Sequence, residues 1–270
     1  MREEVRSVGG LAVTERPADR ADAARVVLVH GTLDRGRSMR RVVERLPDLH
    51  VITYDRRGYA GSIGAGPPTG LPQHVDDLIA VLDGRRATVV AHSFGSHVAV
   101  LAAIARPDLV ASVGLWEPPT PWMEHAPPDM KARVAGLASS PDPEGVGEAT
   151  RRRMMGDEAW AALPASTRAE CRAEGRAFVV DMASEVGAPY DWADLHVPCV
   201  IGRGGRTTLD HNGTCSRLAA MLGCELFCAD EAPHAAQLQA PGTFAEFVRR
   251  AVSLGLPSPG ADHGVPQPRC

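Results

Sequence analysis

The sequence predicts an α/β protein whose central sheet is mostly parallel and flanked by helices, and three observations support this. Short runs of β-branched apolar residues alternate with longer segments of helical periodicity, which is typical of repeated strand-helix-strand units. The chain has 270 residues, enough to bury a large core without a disulfide or a metal. Hydrophobic residues make up 44% of the chain and charged residues 23%, which excludes collagen, coiled-coil and disordered classes.

The first half of the chain contains most of the predicted strands. An opening hairpin is expected around Gly9 and Gly10, because paired glycines supply the positive φ that a tight turn needs. Further strands are predicted at 25–29, 50–54, 87–91 and 109–115, and helices at 38–46, 71–82 and 95–105. Pro107 ends the last of these helices, because proline cannot continue the helical hydrogen-bond ladder.

The pattern changes after Trp116, where prolines crowd together and amphipathic helical stretches then run from about 130 to 186. We expect a helical cap inserted into a two-part core; the cap covers 118–192 and the core 1–117 and 193–256. The second part of the core contains predicted strands at 197–202 and 224–228 and helices at 209–222 and 243–254. Residues 257–270 are rich in proline and glycine, so a disordered tail is expected.

The charge of the chain narrows the class of partner. With a formal net charge of −4, the chain lacks the excess of basic residues that nucleic-acid or anionic-membrane binding usually needs, so a small molecule is the expected partner. Residues 1–10 have no apolar core of a secretory signal, and the longest apolar run, 98–105, is far too short to span a membrane. A cytoplasmic location follows as an expectation. The six cysteines lack the paired spacing of a zinc site, and neither a metal nor a cofactor is expected.

The strongest local signal is a buried strand that runs directly into Ala91-His92-Ser93-Phe94-Gly95 and then into a helix. This arrangement matches the nucleophile elbow, in which a serine sits in a strained turn and projects its Oγ above the sheet. Small residues are needed on both sides of the turn because the strand and helix backbones approach closely there. Ala91 stands where the pattern has its first glycine, and Ser93 is the predicted nucleophile.

Together with two further loops, this elbow resembles the α/β-hydrolase superfamily over nearly the whole chain apart from the cap and the tail. Segment 27–32, Val-Leu-Val-His-Gly-Thr, resembles the oxyanion loop after the third strand. Segment 55–62 resembles the Asp-x-Arg-Gly-x-Gly-x-Ser loop after the fourth, although Ala60 replaces the second glycine. The resemblance implies an α/β-hydrolase fold with an inserted helical cap, and a serine hydrolase that needs no cofactor.

A neutral serine hydroxyl is a poor nucleophile near pH 7, so a base must take its proton. His234 follows the last predicted strand, where the superfamily places its catalytic imidazole, and it is the predicted base. His30 and His92 belong to backbone-positioning motifs, so we expect their side chains to pack or to orient loops. His97, one turn into the helix after Ser93, is expected to be a core residue.

The third member should be a carboxylate that holds the imidazole in one tautomer. The superfamily usually supplies an aspartate after the seventh strand, but segment 200–207 has glycine, arginine and threonine there. Glu117 lies at the end of the sixth strand, 24 residues after Ser93, which is similar to the position of the acid in the haloalkane dehalogenase branch. Glu117 is therefore the predicted acid. Asp210 is the alternative, although it suits a helix start, where a carboxylate caps backbone N–H groups.

Attack on an acyl carbon creates an oxyanion, which preorganised backbone N–H groups stabilise by about 3 to 4 kcal/mol per donor. Phe94, at a helix N-terminus, and Thr32 are the predicted donors, with Leu33 as an alternative to Thr32. Eight side chains could line an apolar pocket or form the cap's own core: Trp116, Trp122, Met123, Met154, Met155, Trp160, Phe178 and Met182.

Two functions remain open at this point. The first is a serine hydrolase that cleaves an ester, thioester or lactone of a small, apolar substrate through an acyl-enzyme. The second is a non-hydrolytic protein of the same fold, either a ligand-binding module or an isomerase or cyclase. The sequence indicates neither the natural substrate nor the oligomeric state.

Overall fold

Eight strands form one sheet in the part of the chain that the structure, a computed structural model, describes: residues 3–120, 128–186, 190–207 and 209–256. The strands are β1 (Glu4–Val8), β2 (Leu11–Arg16), β3 (Arg25–Val29), β4 (His50–Tyr54), β5 (Ala87–His92), β6 (Val110–Trp116), β7 (Cys199–Gly204) and β8 (Glu225–Ala229). Their order across the sheet is β1-β2-β4-β3-β5-β6-β7-β8. β1 and β2 are antiparallel to their neighbours, whereas the six strands from β4 to β8 along that order pair in parallel.

Helices cover both faces of this sheet. They are α1 (Arg40–Val43), α2 (Leu71–Leu82), α3 (Gly95–Ala105), α4 (Pro128–Ala138), α5 (Pro143–Met155), α6 (Asp157–Ala161), α7 (Ala165–Ala173), α8 (Gly175–Val186), α9 (Leu209–Leu222), α10 (Ala236–Gln239) and α11 (Pro241–Gly255). Val27 and Val89 face a core with α2, α3 and α9, whereas Val26 and Val90 face a second core with α1 and α11. This alternation is the period of two that a strand buried on both faces requires. The predicted mostly parallel sheet flanked by helices is therefore confirmed.

Five helices, α4 to α8, lie between β6 and β7, within the segment where the sequence predicts an inserted cap. A small apolar cluster joins them to the loops of the sheet, where Leu33 and Tyr59 meet Ala177, Phe178 and Met182. Polar contacts join the same two layers, as described below. The predicted tail, 257–270, lies outside the described residues.

Several predicted element bounds are wrong in ways that the structure explains. The helix predicted at 38–46 is a 3-10 turn, Gly36–Met39, followed by the four-residue α1. The predicted strand 197–202 begins and ends two residues later, as β7. The sequence predicts that the strand ends at Gly202, but Gly202 lies inside β7. A glycine is needed there because a Cβ would meet Trp116 and Phe247 at 2.6 and 2.8 Å. Within the described residues, no helix combines the length and apolarity that crossing a bilayer requires.

Candidate active site

The turn between β5 and α3 holds Ser93 in a left-handed conformation, with φ of 52°. Such a φ is unfavourable for any residue with a Cβ, and it persists only where the surroundings enforce it. Here the Ser93 amide donates to the Trp116 carbonyl at 2.8 Å, and the Ser93 carbonyl accepts from the Ser96 amide at 2.9 Å. The turn therefore lies between β6 on one side and the first turn of α3 on the other.

Gly95 explains why small residues must follow the serine. A Cβ at this position would lie 2.7 Å from the His30 carbonyl oxygen and 2.8 Å from that of Val29. Both are backbone atoms of the strand and loop next to β5, so they cannot move aside as a side chain can. The close approach of strand and helix that the sequence predicts is therefore confirmed.

Glu117 and His234 lie side by side at the carboxyl edge of the sheet. Glu117 directly follows β6, has a φ of 46° and is fully buried, and its Oε2 lies 2.5 Å from Nδ1 of His234. Its Oε1 accepts from the Gly204 amide and its Oε2 from the Thr207 hydroxyl, both at 2.7 Å. A carboxylate that follows β6 therefore receives donors from the end of β7 and from the loops after β7 and β8.

These donors determine the ionisation of Glu117. Burial opposes the charged form, but the hydrogen bonds from His234, Gly204 and Thr207 and the proximity of His234 outweigh it and hold the pKa of Glu117 below its usual range. An ionised Glu117 is an acceptor only, so Nδ1 of His234 carries the hydrogen of their shared bond. In a neutral imidazole, Nε2 is then the basic nitrogen.

The loop after β7 contributes two residues that the sequence argument did not find. Segment 200–207 stood out because it lacks the usual aspartate, and Gly204 and Thr207 of this segment instead hold Glu117. The sequence signal for these two residues was the absence of an aspartate after β7. An acid that comes from the end of β6 instead needs hydrogen-bond donors at the place where that aspartate would lie. Asp210 belongs to α9, and its side chain lies outside the described part of the structure, whereas the Glu117 carboxylate contacts His234.

Two further side chains hold the backbone of His234. The carbonyl oxygen of His234 accepts from Nε2 of His92 at 3.0 Å and from Nε1 of Trp116 at 3.1 Å. His92 and Trp116 are paired residues at the ends of β5 and β6. The expected loop-orienting role of His92 is therefore confirmed, and Trp116 belongs to the core beneath the site.

The loop after β3 is fixed by a buried network around Arg56. The Arg56 guanidinium donates to the carbonyl oxygens of His30 and Gly31 at 3.1 and 3.0 Å. Nδ1 of His30 also lies 2.7 Å from the Gly31 carbonyl, and its Nε2 accepts from the Arg56 amide at 2.8 Å. Burial and the charge of Arg56 lower the pKa of His30 well below its usual range, so it is neutral and both ring nitrogens are satisfied.

This network sets the direction of the next amide. The Gly31 carbonyl and the Thr32 N–H belong to one trans peptide plane and so point in opposite directions. Because the carbonyl points toward Arg56, the Thr32 N–H points away from it, and Thr32 lines the same cavity as Ser93 and His234. Leu33, the alternative donor, packs in the same apolar cluster as Tyr59. Phe94 lies between Ser93 and the first residue of α3.

A cavity of about 590 Å³ opens beside these residues, within the size range of small-molecule sites. Its walls come from the loops after β3, β5 and β8 and from α5. Met154 and Met155 line this cavity, which agrees with the interpretation that some of the eight side chains form an apolar pocket. Trp160, Phe178 and Met182 are buried in the insertion instead. Trp122 and Met123 lie outside the described residues.

The arrangement of sheet, elbow and helices defines the α/β-hydrolase class of fold. A family model described as the alpha/beta hydrolase family matches residues 26–247, and the chain belongs to this family. The lipase LipV of Mycobacterium tuberculosis is 39% identical over 98 residues, which make up 35% of this chain and 37% of that protein. The match thus spans little more than a third of that relative.

Solved structures with the same architecture come from several kinds of protein. The enol-lactonase from Burkholderia xenovorans has a TM-score of 0.69 at 18% identity, with 93% of this chain and 100% of that chain covered. The haloalkane dehalogenase DbeA from Bradyrhizobium elkani has a TM-score of 0.68 at 20% identity, covering 93% and 97%. The thioesterase domain from the curacin biosynthetic pathway has 0.60 at 15%, covering 92% and 99%. At these identities the likeness concerns the fold.

Proposed function

We propose that the protein is a serine hydrolase that cleaves an ester, thioester or lactone through an acyl-enzyme, with Ser93 as nucleophile, His234 as base and Glu117 as acid. The observation that carries the proposal is the 2.5 Å contact between Nδ1 of His234 and the buried Glu117 carboxylate, beside the cavity that Ser93 also lines. A buried carboxylate that fixes the tautomer of an imidazole next to a strained serine is what nucleophilic catalysis by serine requires.

The proposed reaction has two halves. Nε2 of His234 takes the proton of Ser93 as Oγ attacks the acyl carbon, and Glu117 stabilises the imidazolium that forms. The amides of Thr32 and Phe94 stabilise the oxyanion, and His234 then gives the proton to the departing alcohol or thiol. Water, activated by the same imidazole, hydrolyses the acyl-enzyme and restores Ser93.

The cavity wall favours an acyl group with apolar character. Leu33, Met154, Met155 and Leu238 line it, and three of these are large apolar side chains with considerable exposure, from 41% for Met155 to 64% for Met154. Apolar side chains exposed at the mouth of a cavity indicate that a ligand covers them. A small or medium-sized apolar acyl substrate is therefore part of the proposal.

The test is the hydrolysis of 4-nitrophenyl esters of short fatty acids, followed by nitrophenolate release. We expect wild-type turnover to be abolished by Ser93→Ala and by His234→Ala. Ser96→Ala is the matched control, because Ser96 is a buried serine one turn further along whose hydroxyl does not face the cavity. Full activity of Ser93→Ala would contradict the proposal, whereas a wild type that hydrolyses none of these esters would favour a non-hydrolytic role for this fold.

A further inference from the structure

Two arginines line the candidate active-site cavity and converge on one carboxylate. Arg35 follows β3 and Arg151 lies on α5, and both are cavity-lining residues. Nη2 of Arg35 lies 3.2 Å from Oε1 of Glu174, and Arg151 pairs with Oε2 of the same side chain. Glu174 is fully buried, and its Oε1 also accepts from the Ala60 amide at 2.9 Å. The buried Glu174 carboxylate thus fixes the positions of both guanidinium groups.

The charges of this arrangement do not balance. Two guanidinium groups, 29% and 13% exposed, share a single carboxylate, which leaves one positive charge at the cavity wall. A third cation, Arg37, also lines the cavity and has no ion pair with any described residue. The acidic side chain on the wall is Asp34, whose carboxylate is hydrogen-bonded to Ser38 and Gln237, and burial raises its pKa. Even an ionised Asp34 leaves the wall with a net positive charge.

We propose that Arg35 and Arg151 form an anion-binding subsite and that the substrate carries a carboxylate or another anionic group apart from the bond that is cleaved. The inference rests on the proposed hydrolase function, to which it adds a substrate class: an amphiphilic acyl compound with both an apolar and an anionic part. Met154 and Met155, on the same helix as Arg151, would contact the apolar part. Arginine suits this role because its planar donors match a carboxylate or phosphate in pairs.

The anion could lie on either side of the cleaved bond, so the experiment uses two ester pairs. On the acyl side, the mono-4-nitrophenyl ester of adipic acid is compared with 4-nitrophenyl hexanoate. On the leaving-group side, 3-carboxy-4-nitrophenyl hexanoate is compared with the same hexanoate. The readout is the ratio of kcat/KM between the anionic and the neutral ester, corrected for the rate of hydroxide hydrolysis of each.

We expect one anionic ester to be preferred by wild type, and Arg151→Gln to lower that ratio by about tenfold, as loss of a charge-assisted hydrogen bond does. Arg153→Gln, two residues further on the same helix and exposed, is the matched control and keeps the wild-type ratio. Arg35→Gln provides a second variant should Arg151→Gln fail to fold. The wild-type preference itself should fall as the salt concentration rises, because screening weakens exposed charge interactions.

An unchanged ratio in both arginine variants, or no preference in wild type, overturns the anion subsite. In that case Ser93-dependent hydrolysis of the neutral ester still supports the proposed hydrolase. Failure to hydrolyse any of the three esters, or hydrolysis that Ser93→Ala leaves unchanged, overturns the hydrolase and the subsite together. The two failures are therefore distinguishable in one set of measurements.

Discussion

Four single residues around the candidate site have a backbone conformation that side chains with a Cβ rarely adopt. They are Leu33, Ala60, Ser93 and Glu117, with φ between 41° and 52°, and each follows a strand of the sheet. Such residues cost on the order of 1 to 3 kcal/mol each and persist where packing enforces them. Ala60 occupies the place of a glycine in the superfamily pattern, so this departure leaves the left-handed turn in place.

The role of Glu117 gives the first prediction. Glu117→Gln should lower kcat on a 4-nitrophenyl ester by about 10³- to 10⁴-fold, because an amide can no longer stabilise the imidazolium or fix the tautomer of His234. Steady-state kinetics at pH 8 measures the effect. Asp210→Asn, which alters the alternative acid from the sequence argument, is the control and should change kcat little. The opposite ranking of the two variants would move the acid to Asp210.

The sequence could indicate Ser93, His234 and Glu117 because each follows a strand at a position with its own local signal. The side chains that support them carry no such signal. Thr207 contacts a residue 90 positions away, and Arg151 meets Glu174 because α5 packs against α7 and α8. Contacts of this kind depend on how loops and inserted helices pack, which local periodicity does not determine.

Among the elements, the junction of β5 and α3 leaves no space for a side chain at Gly95. Gly95→Ala would place a methyl group within 2.8 Å of two backbone carbonyl oxygens. We expect a loss of about 2 to 3 kcal/mol in the free energy of unfolding, as for overpacking of a rigid core.

Urea denaturation of Gly95→Ala measures this loss, and the control is the same substitution at a glycine whose added Cβ would meet no other atom. Gly136 in α4 has no heavy atom within 4 Å of an added Cβ, and Gly136→Ala should gain about 0.5 to 1 kcal/mol from helix propensity. Equal stability of Gly95→Ala and wild type would show that the two backbones are not fixed against each other.

A fully buried ion pair is among the contacts that join the inserted helices to the sheet. Asp181 on α8 accepts from Arg56 at 2.8 Å and from the Tyr59 hydroxyl at 2.7 Å, and both members of the ion pair are fully buried. Burial opposes ionisation of Asp181, but the charge of Arg56 and the hydrogen bonds hold its pKa well below the usual range.

Asp181→Asn leaves the Arg56 guanidinium buried without a charged partner, so we expect a loss of about 3 to 5 kcal/mol in stability. Glu144→Gln is the control, since its pair with Arg176 joins α5 to α8 at the surface and should contribute less than about 1 kcal/mol. Chemical denaturation of both variants makes the comparison. Similar small losses would mean that the pair does not hold the inserted helices to the sheet.

At the element scale the sequence predicts types better than bounds. The bounds of α2, α3 and α9 were predicted correctly, because apolar periodicity, proline and glycine mark their ends. The four-residue helices α1 and α10 are too short to show the periodicity of a helix in the sequence. The prediction therefore includes α1 in a longer helix and does not contain α10. Gly202 and Gly204 inside β7 resemble a turn in the sequence. The close approach of Trp116 and Phe247 requires a glycine at 202, and that of the Ala232 carbonyl requires one at 204.

For the whole molecule, a buried carboxyl links stability to pH. Glu185 on α8 is 4% exposed, and its Oε1 lies 3.8 Å from Nε2 of His97 on α3. Burial and the charge of Asp181 raise the pKa of Glu185 to about 8, and burial lowers the pKa of His97 to about 3. Both groups are therefore neutral in the folded protein at pH 7.

The folded state keeps the Glu185 proton that the unfolded chain releases near the ordinary value of 4.5. Its contribution to stability is thus complete below that pH and is lost as the pH rises through about 8. Glu185→Gln removes this titration, and we expect it to lose less stability between pH 5 and 8 than wild type, by on the order of 1 to 3 kcal/mol. Denaturation curves across this range, with the exposed Glu170→Gln as control, make the test. Parallel pH profiles of Glu185→Gln and wild type would contradict a buried neutral Glu185.

For the molecule as a whole, covalent labelling tests most directly whether Ser93 is an activated nucleophile. The protein is treated with a fluorophosphonate, digested, and the modified peptide is identified by mass spectrometry. We predict one adduct per chain on Ser93, absent from Ser93→Ala, much slower in His234→Ala and unaffected in Ser96→Ala. A label on another residue, or undiminished labelling of Ser93→Ala, would contradict the central claim.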